Sequence, residues 1–325
     1  MKIVFFGTPG FAANNLEYLH KNGVEILKVI SAPDKQKGRG KKVIATQVKT
    51  KAEELKLSVL TPNSLKDNDF INELKNINAD LFVVVAFRML PKEIWEIPKM
   101  GTINLHTSLL PNYRGAAPIN RVLINGETKT GITTFFIDEK IDCGRIISQE
   151  EVKLNNNTTA AQLHEELMNK GSQLLLQTIE SILTNKFTPV VQNNNLSISD
   201  APKLTKELTK IDWNKTAIEI HNLIRGLSPI ISENEILKDV AICPATWFNL
   251  KIEDKEIRVK LLLSSFSEKT NNKIGDIETD NKSYLKVNLI AGSINILKLQ
   301  VAGKNAVNIS QFLLGNKIDN KWKVA

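Results

Sequence analysis

Thr102-Ile103-Asn104-Leu105-His106-Thr107-Ser108-Leu109-Leu110-Pro111-Asn112-Tyr113-Arg114-Gly115-Ala116-Ala117-Pro118 is the stretch on which the fold turns. It opens as a strand, in which residues two apart point to one face. Ile103 and Leu105 are set to enter a core, so Asn104 and His106 aim side by side from the opposite face. An amide donor beside an imidazole suits a developing oxyanion and a mobile proton. Pro111 breaks the run, Arg114-Gly115 turns it, and Pro118 suits the first turn of a helix expected over 118–126. Open α/β sheets bind ligands where a strand gives way to a loop and a helix. Taken singly, an Asn or His at a strand end is more often a structural hydrogen-bonding residue. The length and spacing of the whole run outweigh that reading.

The flanks agree with a doubly wound sheet. Residues 2–6 form a short apolar strand, Gly7-Thr8-Pro9-Gly10 turns into a helix, and residues 24–30 form the next strand. Gly7 and Gly10 do not make GxGxxG, so the turn reads as structural rather than dinucleotide-binding. Residues 80–87 are a continuous apolar strand, as in the middle of a parallel sheet. Helices are expected over about 43–57 and from about 62 to 76. A longer one, capped by Asn157 or Thr158, is expected to run to Asn185. Residues 187–208 lose periodicity and read as a linker. Beyond them, short strands at 245–252, 259–266, 286–290 and 294–299, separated by Gly, Asp and Asn turns, predict a small barrel.

Composition sets the bounds. A chain of 325 residues has two domains as its natural expectation. Hydrophobic content of 42% and charged content of 24% describe a globular, water-exposed protein. The net charge of +8 favours a polyanionic partner without naming it. Two distant cysteines, Cys143 and Cys243, fit a reducing cytoplasm. Four histidines without an HxH or HExxH cluster argue against a metal site. The N-terminal apolar run is too short for a signal peptide, and no run approaches the ~20 residues of a membrane span. Lys35-Gln36-Lys37-Gly38-Arg39-Gly40-Lys41-Lys42 is a glycine-bearing cationic loop. Most charge runs are solvated surface, but a pliable basic loop also suits phosphates.

Asn104-x-His106-x-Ser108-Leu109-Leu110-Pro111, continued by Arg114-Gly115-Ala116-Ala117-Pro118, closely resembles the signature of the folate-dependent formyltransferases. It is most similar to the branch whose acceptor is methionyl initiator tRNA. The resemblance implies a Rossmann-like α/β formyltransferase domain with a predominantly parallel sheet over 1–187. A linker over 188–208 and a smaller OB-like, tRNA-binding β-barrel over 209–325 would follow. It implies that Asn104, His106 and Asp142 are catalytic, Asp142 falling on the second aspartate of an Asp-x-x-x-Asp-x-Gly pattern that begins at Asp138. Ser108, Leu109, Leu110, Pro111, Phe87, Arg88 and Asp138 would bind 10-formyltetrahydrofolate. Lys37, Arg39, Lys41 and Lys42 would bind the tRNA acceptor end. The implied enzyme is a cytoplasmic monomer without a metal or a membrane partner. It moves the formyl group directly to the α-amino group of methionine through a tetrahedral oxyanion, for translation initiation.

Two departures from the family pattern stand out. Phe87-Arg88 replaces the usual Tyr-Gly, and residues 230–243 are an extra segment. The nearest alternative is a sugar-nucleotide formyltransferase, which would share the chemistry and act on an amino sugar. Arg114-Gly115-Ala116-Ala117-Pro118, the basic loop and the basic C-terminal part argue against it. A catalytically inert RNA-binding protein would not need the trio Asn104, His106 and Asp142.

Overall fold

Apolar runs without alternation become the interior of a sheet covered on both faces. The computed structural model describes residues 1–37, 42–193, 198–239, 241–252, 255–269, 275–319 and 322–324. Its elements begin with β1 (Lys2–Gly7), α1 (Gly10–Lys21), β2 (Glu25–Ile30), β3 (Lys35–Lys37), β4 (Lys42–Ile44), α2 (Gln47–Glu54) and β5 (Val59–Leu60). Next come α3 (Asn68–Ile77), β6 (Leu81–Val85), α4 (Lys92–Trp95), β7 (Thr102–His106), β8 (Arg114–Gly115) and α5 (Pro118–Ile124). The series continues through β9 (Lys129–Phe136), β10 (Ile146–Lys153), α6 (Ala160–Leu183), β11 (Asp200–Ala201) and α7 (Ala217–Leu227). The last elements are β12 (Thr246–Ile252), β13 (Lys255–Ser267), β14 (Ile277–Thr279), β15 (Leu285–Asn288), β16 (Ser293–Val301), β17 (Ala306–Asn308), α8 (Ile309–Leu314) and β18 (Trp322–Val324).

The chain divides into two compact units that do not follow its order. The first holds Met1–Gly115, Gly131–Val152 and Glu165–Asp200. Its sheet runs β10-β9-β7-β6-β1-β2-β5, with β5, β2, β1, β6 and β7 parallel to their neighbours and β9 antiparallel to β7. All five residues of β6 are buried. Val4, Phe6, Ile30, Phe82 and Val84 form one core with Phe70, Ile71 and Leu74 of α3 and Ile94 of α4. Burying a residue of this size contributes about 2 kcal/mol, so the apolar run itself anchors the sheet.

The second unit holds Ala116–Thr130, Lys153–His164 and Ala201–Ala325. Its antiparallel sheet runs β14-β15-β16-β13-β12-β18, with β17 on β16, and β14 approaches β18 so that the sheet curls nearly shut. Phe248, Leu250, Val259, Leu261, Ile294 and Ile296 fill it, with Ile220 and Ile224 of α7. α5 and the start of α6 therefore pack with the barrel-like unit. The extra segment 230–243 is tied into this unit by its carbonyls. Thr159 Oγ1 donates to Ile230 O (2.6 Å), Gln162 Nε2 to Ile231 O (2.9 Å), Lys298 Nζ to Glu233 O (2.6 Å) and Asn120 Nδ2 to Ile242 O (2.8 Å).

Several expected boundaries shift for local reasons. The helix expected over 43–57 begins only at Gln47, because Thr46 Oγ1 accepts from Lys49 N (3.1 Å) and caps it there. β-Branched Val43 and Ile44 pair instead in β4 against β3. α3 begins at Asn68, where Asp67 caps it. Neither Asn157 nor Thr158 caps α6. Thr159 does, its hydroxyl accepting from Gln162 N (3.1 Å) while Gln162 Oε1 accepts from Thr159 N (3.0 Å).

Candidate active site

Asn104 lies near, and His106 at, the C-terminal end of β7, between the parallel β6 and the antiparallel β9. Ile103 and Leu105 are buried on the other face, as alternation demands. Asn104 is half-buried and His106 is 7% exposed. His106 Nε2 lies 2.8 Å from Tyr113 O. A carbonyl oxygen only accepts, so Nε2 carries the proton and the neutral ring keeps its lone pair on Nδ1. Nδ1 faces Asp142 Oδ2 at 3.8 Å. That distance is too long for a hydrogen bond but short enough for an ion pair once Nδ1 is protonated. A group with two N–H donors set between these atoms would serve both.

Backbone geometry produces this meeting. Tyr113, with φ +60°, and Asp142, with φ +54°, both adopt the left-handed conformation that side-chain-bearing residues avoid. Tyr113 thereby turns its carbonyl to His106. The Asp142 Oδ2 atom accepts from Gly115 N at 3.0 Å, and Asp142 O accepts from Arg114 Nε at 3.1 Å. A Cβ on Gly144 would fall 1.7 Å from Phe136 O, so the loop tolerates only glycine there.

The Ser108–Pro111 loop is held from inside. Ser108 is fully buried and its hydroxyl donates to Asn112 O (2.6 Å). Thr133 Oγ1 donates to Ser108 O (2.7 Å) and accepts from Leu110 N (3.1 Å), while Gln149 Nε2 donates to Leu110 O (2.9 Å). The Leu110–Pro111 bond is cis. Ser108 and Leu110 thus shape the loop, and Leu109 and Pro111 keep partial exposure. Phe87 packs edge-on against Phe6, and the guanidinium of Arg88 lies 5.5 Å from the Phe87 ring centre. Arg88 donates to Pro62 O and to Asn63 O (3.2 Å), so it ties the loop after β6 to the loop after β5. Burial lowers its pKa from the ordinary value. Asp138 is exposed and accepts from Lys140 N (3.0 Å). A Lys92–Glu139 ion pair (2.7 Å) joins α4 to the same loop. Met89, 75% exposed, and Ile141, 63% exposed, add apolar surface on these two loops.

Among the described residues no three His, Cys, Asp or Glu lie together as a metal site, and no helix is long and apolar enough to cross a membrane. Arg39 and Lys41 lie outside the described residues, as do the side chains of Lys37 and Lys42. In the barrel-like unit a second charged surface emerges. The exposed Arg258 guanidinium lies 3.6 Å over the Trp247 ring, with Lys210 Nζ at 5.8 Å. Reading the sequence missed this trio, and also Tyr113, Thr133, Gln149 and Gln192 around the site. Tyr113 and Arg114 stood inside the signature, whereas Gln192 lies in an aperiodic stretch with no local signal.

Comparison with known proteins shows the family. The formyl transferase family pattern matches residues 1–179, and that of the formyl transferase C-terminal domain matches residues 203–317. The methionyl-tRNA formyltransferase of Flavobacterium johnsoniae is 43% identical over all of this chain and 99% of its own length. That of Clostridioides difficile is 42% identical over 98% of each chain. Among solved structures, a sugar 3N-formyl transferase determined with dTDP and 5-N-formyl-tetrahydrofolate superposes with a TM-score of 0.62 at 23% identity, covering 94% of this chain and 99% of that one. HypX from Aquifex aeolicus in complex with tetrahydrofolic acid gives 0.60 at 17%, over 99% of this chain and 50% of that one. At these low identities the two structures speak for the fold alone. Relatives above 40% identity along the full length carry more, and with them the chain belongs to the methionyl-tRNA formyltransferase family of the formyl transferases.

Proposed function

We infer that the chain transfers the formyl group of 10-formyltetrahydrofolate to the α-amino group of methionine on initiator tRNA, in support of translation initiation. The observation that carries the catalytic part is the pairing of His106 Nδ1 with Asp142 Oδ2 beside Asn104 at the end of β7. The folate supplies the formyl carbon. The neutral amine is held between Nδ1 and Oδ2 and attacks that carbon. The Asn104 amide donates to the oxygen that becomes anionic in the tetrahedral adduct. Nδ1 takes the proton that leaves the amine, and the imidazolium so formed has both N–H groups partnered, by Tyr113 O and Asp142. The same proton then goes to N10 as the bond between N10 and the formyl carbon breaks. No covalent enzyme intermediate is required.

Roles for the remaining residues follow the same reading. Phe87, Arg88, Ser108, Leu109, Leu110, Pro111 and Asp138 shape the folate pocket, Ser108, Leu110 and Arg88 through loop-holding hydrogen bonds. Residues 1–187 carry catalysis and 209–325 grip tRNA, joined by 188–208. Lys37, Arg39, Lys41 and Lys42 reach the acceptor end, and the Arg258–Trp247–Lys210 surface supports a second contact with the polyanion. The enzyme acts as a monomer in the cytoplasm, and the free Cys143 and Cys243 support the compartment.

The test is transfer of labelled formyl from 10-formyltetrahydrofolate to methionyl initiator tRNA, beside methionyl elongator tRNA and an amino-sugar nucleotide. Label on the initiator alone is expected, with Asn104→Ala lowering turnover about 10²–10³-fold through loss of one oxyanion donor. Label on the sugar alone would overturn the tRNA reading.

A further inference from the structure

The left-handed Asp142 backbone is disfavoured for a residue with a Cβ, and such conformations persist only where neighbours over-determine them. Much of that determination comes from one side chain far along the chain. Gln192, 4% exposed, donates through Nε2 to Asp142 O (2.9 Å) and to Gly144 O (2.8 Å). Its Oε1 accepts from Arg114 Nε (3.1 Å) and from the neighbouring guanidinium nitrogen. Arg114 Nε also donates to Asp142 O. Both hydrogens and the oxygen of a buried amide are therefore engaged, and they join three segments: 114, 142–144 and 192. Gln192 lies beyond residues 1–179, the span of the formyl transferase match.

We propose that Gln192 is a positioning residue of the active site: its amide holds the left-handed turn that aims the Asp142 carboxylate at His106 Nδ1. Without the two donated hydrogen bonds, the Gly144 carbonyl loses its buried donor and the Asp142 carbonyl keeps only that of Arg114. The turn then relaxes toward negative φ, and the Asp142 Cα–Cβ bond swings away from the imidazole. Gln192 is buried, and its amide is engaged by protein groups. It acts through Asp142, and the inference rests on the catalytic reading of that residue.

The experiment is a double-mutant cycle on the full-length enzyme. Gln192→Met keeps length and volume but removes all the hydrogen bonds. Gln192→Glu keeps an acceptor for Arg114 and removes both donors. Each is measured alone and with Asp142→Asn for kcat and for the KM of both substrates, with thermal unfolding as the check on folding. Gln192→Met is expected to lower kcat about 10²-fold, the scale of a misplaced catalytic group, with KM values within about twofold. On the Asp142→Asn background it is expected to add less than about threefold, because the group it positions has already lost its charge. Should Gln192→Met unfold, Gln192→Glu is read in the same cycle. Losses that multiply across the cycle, or an unchanged kcat in a folded Gln192 variant, would overturn the inference. Full turnover by Asp142→Asn alone would overturn the catalytic reading of Asp142 and the inference with it.

Discussion

Two of the buried histidines, one taken from each unit, differ in what Nδ1 meets, and on the proposed reading one works while the other is structural. Each gives its Nε2 proton to a backbone carbonyl: His106 to Tyr113 O at 2.8 Å and His221 to Asn156 O at 2.9 Å. In the neutral tautomer that this bond favours, each presents the lone pair of Nδ1. At His221, 2% exposed, that atom accepts a hydrogen bond from Ser264 Oγ at 3.0 Å, and the ring also packs on Phe266. Every polar atom of that ring is satisfied by the protein. At His106, Nδ1 faces a carboxylate oxygen at 3.8 Å, beyond hydrogen-bond range. The ring chemistry is the same and one partner differs: a hydroxyl within hydrogen-bond range at His221, a carboxylate beyond it at His106.

The comparison can be broken at either histidine. His106→Ala should lower formyl transfer by about 10³-fold, the scale of a lost acid–base group, while the chain stays folded by circular dichroism. Retained turnover would make His106 a structural histidine like its counterpart. His221→Ala should do the reverse. It removes a packed ring and leaves Asn156 O and Ser264 Oγ without partners, at a cost of about 3 kcal/mol in urea unfolding. Turnover per folded molecule should change by less than about twofold, because His221 lies outside the catalytic group. A large kcat loss in a stable His221→Ala variant would show coupling that the distances do not predict.

The smallest effect is in pH. Burial holds the His221 imidazole below its ordinary value of 6.5, with nearby Arg225 acting in the same direction and the Asn156 bond opposing it. The unfolded chain thus takes up a proton first as pH falls. Stability linked to this ring is complete above about pH 6.5 and is lost as pH drops from there through the folded value. The urea midpoint of the parent chain should decline over that acid range, and the decline should be shallower in His221→Ala. Identical slopes in the two proteins would remove His221 as the cause.

Local pattern carried much of this molecule. The unbroken run at 81–85 had to be an interior strand, and the alternation Ile103, Asn104, Leu105, His106 had to send the polar pair to one face. Where patterns were short or two-sided, local chemistry decided: Thr46 delayed a helix that periodicity had started earlier, and Thr159 took the cap assigned to its neighbours. The described residues of 188–200 show the limit most clearly. They have no periodicity, and they read as a linker. Yet Gln192 Nε2 reaches Asp142 O across 50 positions, and Arg114 reaches Gln192 across 78.

Sequence alone therefore determined the parallel sheet, the barrel-like second unit and the shared face of Asn104 and His106. Those follow from residue type and from spacings of two to four positions, which the backbone reads locally. Tertiary structure alone decided that His106 Nε2 faces Tyr113 O, that Asp142 adopts a left-handed backbone, and that the distant Gln192 amide bonds to its carbonyl. It also assigned α5 and the start of α6 to the barrel-like unit. Hydrogen bonds between segments tens of residues apart leave no period in the chain, because their partners become neighbours only after the hydrophobic core has brought them together.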